Sequence, residues 1–157
     1  LAAQVTWAGP DTQKEREPHC TRLRWVGHLP GFKAALTPAE SLAFEAGLLG
    51  ADRAAVAGAL SHFSLEPLSR LPLRVLSAGQ KRRVALARLA LAPAALWLLD
   101  EPVTSLDTAS EARLWALAES HLAAGGRLVV ATHAAVPLAG LRRLDLGEHA
   151  PAAGVPA

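Results

Sequence analysis

Along the chain, apolar and polar positions change rhythm several times, and each change predicts an element. Residues 1–7 (LAAQVTW) alternate weakly and predict an edge strand. The charged stretch 11–20 (DTQKEREPHC), with Pro10 and Pro18 at its flanks, predicts an exposed hairpin or loop. A short strand is predicted over 23–27 (LRWVG), ending at Gly27-His28. Thr37-Pro38-Ala39-Glu40 predicts a helix start: Thr37 caps, Pro38 fits the first turn and Glu40 reaches back to the cap amide. That helix should run to about Leu49 and stop at Gly50, and a second, Ala-rich helix should cover 52–63.

Further on, Ser77-Ala78-Gly79-Gln80 repeats the capping box with Gln in place of Glu. The run VALARLALA behind it is apolar except for Arg88, which predicts a largely buried helix stopped by Pro93. Residues 94–99 lack alternation, as suits a strand covered on both faces of a parallel sheet. Thr108-Ala109-Ser110-Glu111 reads as another capping box, opening a helix that Gly125-Gly126 closes. A second buried strand is predicted over 128–131, a third over 144–146 and a frayed tail over 151–157. Strands alternating with helices from Ala94 onward predict α/β architecture with a parallel sheet. The helices between 37 and 71 arrive without strands between them and predict a helical subdomain.

Composition narrows the function classes. The chain has 157 residues, 51% of them hydrophobic and 19% charged, which fits one ordered domain and excludes disorder for most of it. No apolar run reaches the roughly 18–20 residues that cross a bilayer, and no signal peptide is visible at Leu1. A net charge of +2, from 16 basic against 14 acidic residues, makes no nucleic-acid-binding surface. The one dense basic run, Lys81-Arg82-Arg83, reads as the solvated start of a helix. The single cysteine, Cys20, excludes an internal disulfide and a Cys-based metal cluster, and predicts a reduced structural thiol in the cytosol. The chain begins with Leu1 and contains no methionine, so the expectation is a trimmed or fragmentary chain.

Four features at strand ends or helix starts carry candidate chemistry. Ser77 and Gly79 stand at a helix N-terminus, where free backbone N–H groups attract phosphate; alternatively, Ser77 merely caps its own helix. Asp100 and Glu101 follow the strand ALWLL, at the edge where α/β folds bind ligands. Asp100 suits Mg²⁺, directly or through water, and Glu101 suits orienting and deprotonating a water; the other reading is a strand-ending turn at Glu-Pro. Ser105-Leu106-Asp107 are either ordinary loop residues or part of the same site. His133 follows the strand LVVAT, where it is either structural or a second group beside a Mg²⁺ site.

In this order, the four features resemble the ATPase subunit of ABC transporters: signature (LSAGQ), Walker B (LWLLDE), D-loop (SLD) and switch histidine (His133). The resemblance covers residues 5–147. It is finer still to the haem-exporter ATP-binding subunits of bacterial cytochrome c maturation, through WVGHLPG (25–31), LSAGQKRRVALARL (76–89) and LWLLDEPVTSLD (96–107). The fold it implies is an incomplete P-loop NTPase, α/β with a parallel sheet plus a helical subdomain. It divides the chain into a remnant of the N-terminal catalytic lobe (1–28), a helical and signature subdomain (29–92), the C-terminal part of the catalytic lobe (93–149) and a flexible tail (150–157).

The implied function is the energy-coupling ATPase of a transporter for haem export or delivery in c-type cytochrome biogenesis, with ATP and Mg²⁺ as cofactors. The implied partners are a polytopic membrane permease and a second ATPase subunit packed head to tail, and no nucleic acid. The implied place is peripheral, at the cytoplasmic face of the bacterial inner membrane. By carry-over, Ser77, Ala78, Gly79 and Gln80 contact the nucleotide of the partner subunit, and Asp107 couples the two sites. Asp100 supports Mg²⁺, Glu101 polarises the attacking water and His133 contacts the γ-phosphate. In the arm over 37–71 and just before it, Phe32, Leu36 and Phe44 would face a membrane partner, with core packing the alternative favoured for Phe44.

Two departures from the family pattern stand out. No Gly-x-x-Gly-x-Gly-Lys-Ser/Thr run occurs, and the family carries that loop N-terminal to the point where this chain starts. The 157 residues alone are therefore expected neither to hydrolyse ATP nor to bind it tightly. The second departure is His28, standing where the family usually has a Gln ligand of Mg²⁺; imidazole is the poorer ligand, so its metal role stays open. Rival readings are an ABC ATPase for another cargo and a non-catalytic docking module. A DNA clamp ATPase would need long heptad segments, and there are none.

Overall fold

A computed structural model describes residues 22–29 and 31–145. Three strands, β1 (Leu23–Val26), β2 (Leu96–Asp100) and β3 (Arg127–Ala131), form a parallel sheet in the order β1-β2-β3. Among the described residues, four helices accompany it: α1 (Pro38–Leu48), α2 (Arg53–His62), α3 (Ala78–Ala87) and α4 (Thr108–Ala123). Short 3₁₀ turns fill Glu66–Leu68, Leu73–Val75 and Arg88–Ala90. The expected edge strand, hairpin, Cys20 and tail lie outside the described residues. Of the strand expected at 144–146, residues 144 and 145 are in no strand and Leu146 is outside.

The local chemistry of the helix ends accounts for their boundaries. Thr37 Oγ1 accepts from the Glu40 amide at 3.2 Å and the Thr37 amide donates to Glu40 Oε2 at 2.9 Å, so the first capping box forms as read. At the other end of α1, Ala51 N–H reaches Ala46 O and Gly50 N–H reaches Gly47 O, with Gly50 at φ +65°. This double closure needs a left-handed residue, which glycine supplies without a Cβ clash. Helix α2 closes in the same way at Ser64, with φ +50°. The second capping box, Ser77 with Gln80, also forms.

Two ends differ from the expectation. Helix α3 stops at Ala87, well short of Pro93, and tightens into a 3₁₀ turn over Arg88–Ala90, as α-helices commonly do at their C-termini. The cap of α4 is Asp107, not Thr108: its carboxylate accepts from the Ser110 amide at 2.7 Å. Asp is the stronger cap and stands one residue earlier, so the helix gains Thr108 as its first residue.

One continuous core joins the helices to the sheet, with Phe63, Leu42, Leu65, Leu73, Leu86 and Leu114 essentially inaccessible. The VALARLALA run supplies Val84, Ala85, Leu86 and Ala87 to it, and Arg88 escapes by pairing with Glu45 at 2.6 Å. Register places Val26, Leu99 and Val130 in one row and Trp25, Leu98 and Val129 in the next. These rows face opposite ways, because successive side chains alternate across a strand. The first row faces the core. In the second, Trp25 is 64% and Val129 56% exposed, so among the described residues β2 is not covered on both faces as expected. The parallel arrangement brings the carboxyl ends of β2 and β3 to one edge, which positions the site.

Candidate functional site

At that edge, Asp100 ends β2 opposite Ala131, and Glu101 begins the turn beyond it. The Glu101 amide donates to Ala131 O at 2.8 Å, so the glutamate is still tied to β3. Its φ is +45°, a left-handed conformation that costs a non-glycine residue on the order of 1–3 kcal/mol and persists only when the surroundings impose it. Those surroundings are specific. Thr132 Oγ1 donates to Glu101 Oε2 at 3.1 Å, and the His133 amide donates to Oε1 at 3.2 Å. The His133 ring is fully exposed, with Nε2 3.8 Å from Oε1. Glu101 and His133 are thus brought together, while Thr132 was missed: a hydroxyl one residue past a strand is too common a feature to single out.

Beneath this edge lies Arg82, buried at 5% exposure, where the sequence read a solvated helix start. Its Nη2 donates to the carbonyls of Asp100 and Glu101, both at 2.6 Å. Nη1 donates to Gly27 O at 2.6 Å and His28 O at 3.4 Å, and Nε to Pro102 O at 3.1 Å. Burial pulls the guanidinium below its ordinary pKa, and the nearby charges of Asp100 and Glu101 oppose that pull. Arg83, next in sequence, donates to Phe63 O at 3.1 Å and so is not free in solvent either. Helical geometry turns adjacent residues in different directions, and here both directions meet protein.

The signature residues form a second cluster. Ser77 does cap its own helix, and the cap leaves its hydroxyl proton free to donate outward. Gly79 abuts the backbone carbonyl of Ser105, where a Cβ would collide with the oxygen. Ser105 itself is left-handed, with φ +65°. Ser77, Gly79, Gln80, Arg83, Ser105 and Asp107 line a cavity of about 260 Å³. Hydrogen bonding from Ser110 lowers the Asp107 pKa from its ordinary value of 3.8, so this wall stays anionic at neutral pH. Ala78 faces a different cavity of about 310 Å³, shared with His28, Lys81, Arg82, Thr104 and Ser105.

Neither Glu101 nor His133 lines either cavity. The signature cluster and the Glu101–His133 cluster thus share no cavity-lining side chain. Among the described residues no three His, Cys, Asp or Glu side chains converge as a metal cage. Magnesium needs no such cage, since it is usually held by one or two carboxylates together with substrate phosphates. Asp100 at the strand end suits that arrangement. Phe32 and Leu36 are only partly exposed and pack against the core. Phe44, for which core packing was favoured, is 61% exposed, and Leu48 one turn on is 70% exposed. Among the described residues no helix is long and apolar enough to cross a membrane.

Residues 2–104 match the family model described as ABC transporter. The chain belongs to the ABC transporter family, as the order of its motifs implied. Among its relatives is the cytochrome c biogenesis ATP-binding export protein CcmA of Rhodospirillum rubrum, 49% identical over 150 residues, which are 96% of this chain and 64% of that protein. The protein of the same name from Paramagnetospirillum magneticum is 44% identical over 156 residues, 97% of this chain and 72% of the relative. Among solved structures, a dimeric post-hydrolysis state of an ATP-binding cassette bound to ADP and Pi superposes with a TM-score of 0.73 at 24% identity. That match covers 85% of this chain and 63% of the other. A putative ABC transporter ATP-binding protein from Pyrococcus furiosus gives 0.70 at 21% identity, covering 87% and 68%. These structures share the α/β fold described above.

Proposed function

We propose that the protein is the ATP-hydrolysing, energy-coupling subunit of an ABC transporter for haem export or delivery in c-type cytochrome biogenesis. The observation that carries this reading is the Glu101 carboxylate. It stands at the mouth of β2 in a left-handed turn, gripped by Thr132 and the His133 amide and left with lone pairs for a water. The cargo assignment rests on the relatives named for cytochrome c biogenesis export.

Two chains face each other head to tail, and the signature face of one completes the site on the other. Ser77 and Gly79 offer a hydroxyl and backbone N–H groups to the γ-phosphate of the partner's ATP, at the positive end of α3. Asp100, at the end of β2, would hold Mg²⁺, which when bound would supply charge neutralisation at the phosphates. Glu101 orients the attacking water and accepts its proton, while His133, on the same carboxylate, faces the γ-phosphate. Asp107, fixed as the α4 cap, carries the D-loop between the two sites. The division of the chain into catalytic-lobe portions and an intervening helical arm over 29–92 belongs to this reading. Exposed Phe44 and Leu48 give that arm an apolar face for the membrane subunit, at the cytoplasmic side of the inner membrane.

The test is Glu101→Gln in the full-length protein. Turnover is lost, yet MgATP still drives dimerisation, because the amide keeps the shape but accepts no proton. Normal turnover in that variant would reject Glu101 as the base.

A further inference from the structure

The strongest feature not absorbed by that reading is Arg82. A guanidinium has five N–H groups in a planar fork, and here each has a backbone carbonyl: Gly27, His28, Asp100, Glu101 and Pro102. The carbonyls come from two segments far apart in sequence, the end of β1 and the turn after β2, while the fork itself rides on α3. Carbonyl oxygens pointed at one spot repel one another, and burial removes the water that would relieve them. A cation at the centre turns that repulsion into attachment. Lysine offers three donors from one point and cannot span all five acceptors.

Three of the five carbonyls belong to Asp100, Glu101 and Pro102: the two peptide units flanking the left-handed glutamate and the one that follows. On the other side, Thr132 and the His133 amide hold only the Glu101 carboxylate. Side chain and backbone of Glu101 are thus fixed by different groups: the amide is tied to Ala131 O of β3, and the carbonyls around it are held by Arg82.

We infer that Arg82 is the positioning residue for Glu101: it fixes the strained backbone of the base and ties it to the signature helix and to the Gly27–His28 corner. This rests on the reading of Glu101 as the water-polarising group. It touches no reacting atom, so its loss should impair the chemical step and leave nucleotide affinity in place. It also links the helix whose N-terminus faces the partner's nucleotide to the base serving this chain's own.

The test uses the full-length protein as wild type, Arg82→Gln, Arg82→Lys and the control Arg88→Gln, which loses only the surface pair with Glu45. Two readouts are taken: kcat and KM for ATP, and hydrogen exchange of the peptide covering 100–106. Arg82→Gln should lower kcat about tenfold or more with KM for ATP changed less than about twofold. Its 100–106 amides should exchange faster, while those of 84–87 keep their protection. Arg82→Lys should recover part of both effects, and it carries the test if the Gln variant does not fold. Unchanged exchange in 100–106 overturns the assignment. So does a kcat that falls only as far as in Arg88→Gln at equal loss of stability. A wild type without ATP turnover overturns the functional reading instead, and the exchange readout still decides the role of Arg82.

Discussion

Gly79 lies directly against the backbone carbonyl of Ser105, with no room for a side chain between them. One residue opens the helix whose end offers N–H groups; the other precedes the cap of the next helix. Their contact makes the wall of the 260 Å³ cavity a single piece. Gly79→Ala should therefore act twice. The Cβ must push backbone, not a flexible side-chain tip, so a loss of roughly 1–3 kcal/mol is expected in urea unfolding. ATP turnover of the full-length protein should fall as well, because the two loops separate. A stability and turnover equal to wild type would show that the contact is looser than described.

Left-handed residues offer a prediction of opposite sign. Ser64 closes α2 with φ +50°, and its amide bond to Ser61 O survives any substitution except proline. Ser64→Gly removes the Cβ penalty and should stabilise by about 1 kcal/mol, read as a higher denaturation midpoint. Destabilisation would mean that the serine side chain contributes more than its backbone costs.

In the core, Phe63 is fully buried and meets the His62 ring edge-on at 4.9 Å. Phe63→Ala should cost about 3–5 kcal/mol, since helices α2 and α3 cannot close over the space it leaves. A loss under about 1 kcal/mol would contradict the single continuous core.

Acid sensitivity has a specific source in Glu40. Its bonds from the Thr37 amide, and next from the Thr37 hydroxyl, lower its pKa from the ordinary 4.5. A folded value below the unfolded one means that the unfolded chain binds more protons in this range, so stability falls as pH falls. The contribution is complete above 4.5 and is lost as pH drops through the lower folded value. Glu40→Gln keeps an acceptor oxygen but cannot titrate. Urea midpoints followed from about pH 6 down to about pH 3 should fall less steeply in the variant, and the two curves should converge at the acid end. Parallel curves would remove Glu40 as a source.

Local chemistry was legible and long-range burial was not. Both capping boxes, at Thr37–Glu40 and Ser77–Gln80, form between residues three apart, so four letters suffice to read them. The motif order from Ser77 to His133 was legible for the same reason, and it named the family that residues 2–104 match. Arg82 was misread because its partners lie 55 residues away at Gly27 and 18 away at Asp100; nothing beside it in the sequence marks it as buried. Phe44 was assigned to the wrong environment, since the faces of α1 look alike in the letters until packing chooses between them. The left-handed turn at Glu101 left no trace in the letters, since a non-glycine residue there is the exception.

If the signature of one chain serves the glutamate of another, mixing two inactive variants should restore a working site. One full-length variant carries Glu101→Gln and the other Ser77→Arg. Neither should hydrolyse ATP alone. In a mixed head-to-tail dimer, the Glu101 of the Ser77→Arg chain meets the intact signature of its partner, so one live site forms. The mixture should regain ATP turnover that neither parent shows. If Ser77 instead served the Glu101 of its own chain, every site would carry a defect, and a mixture as inactive as its parents would rule out the shared site.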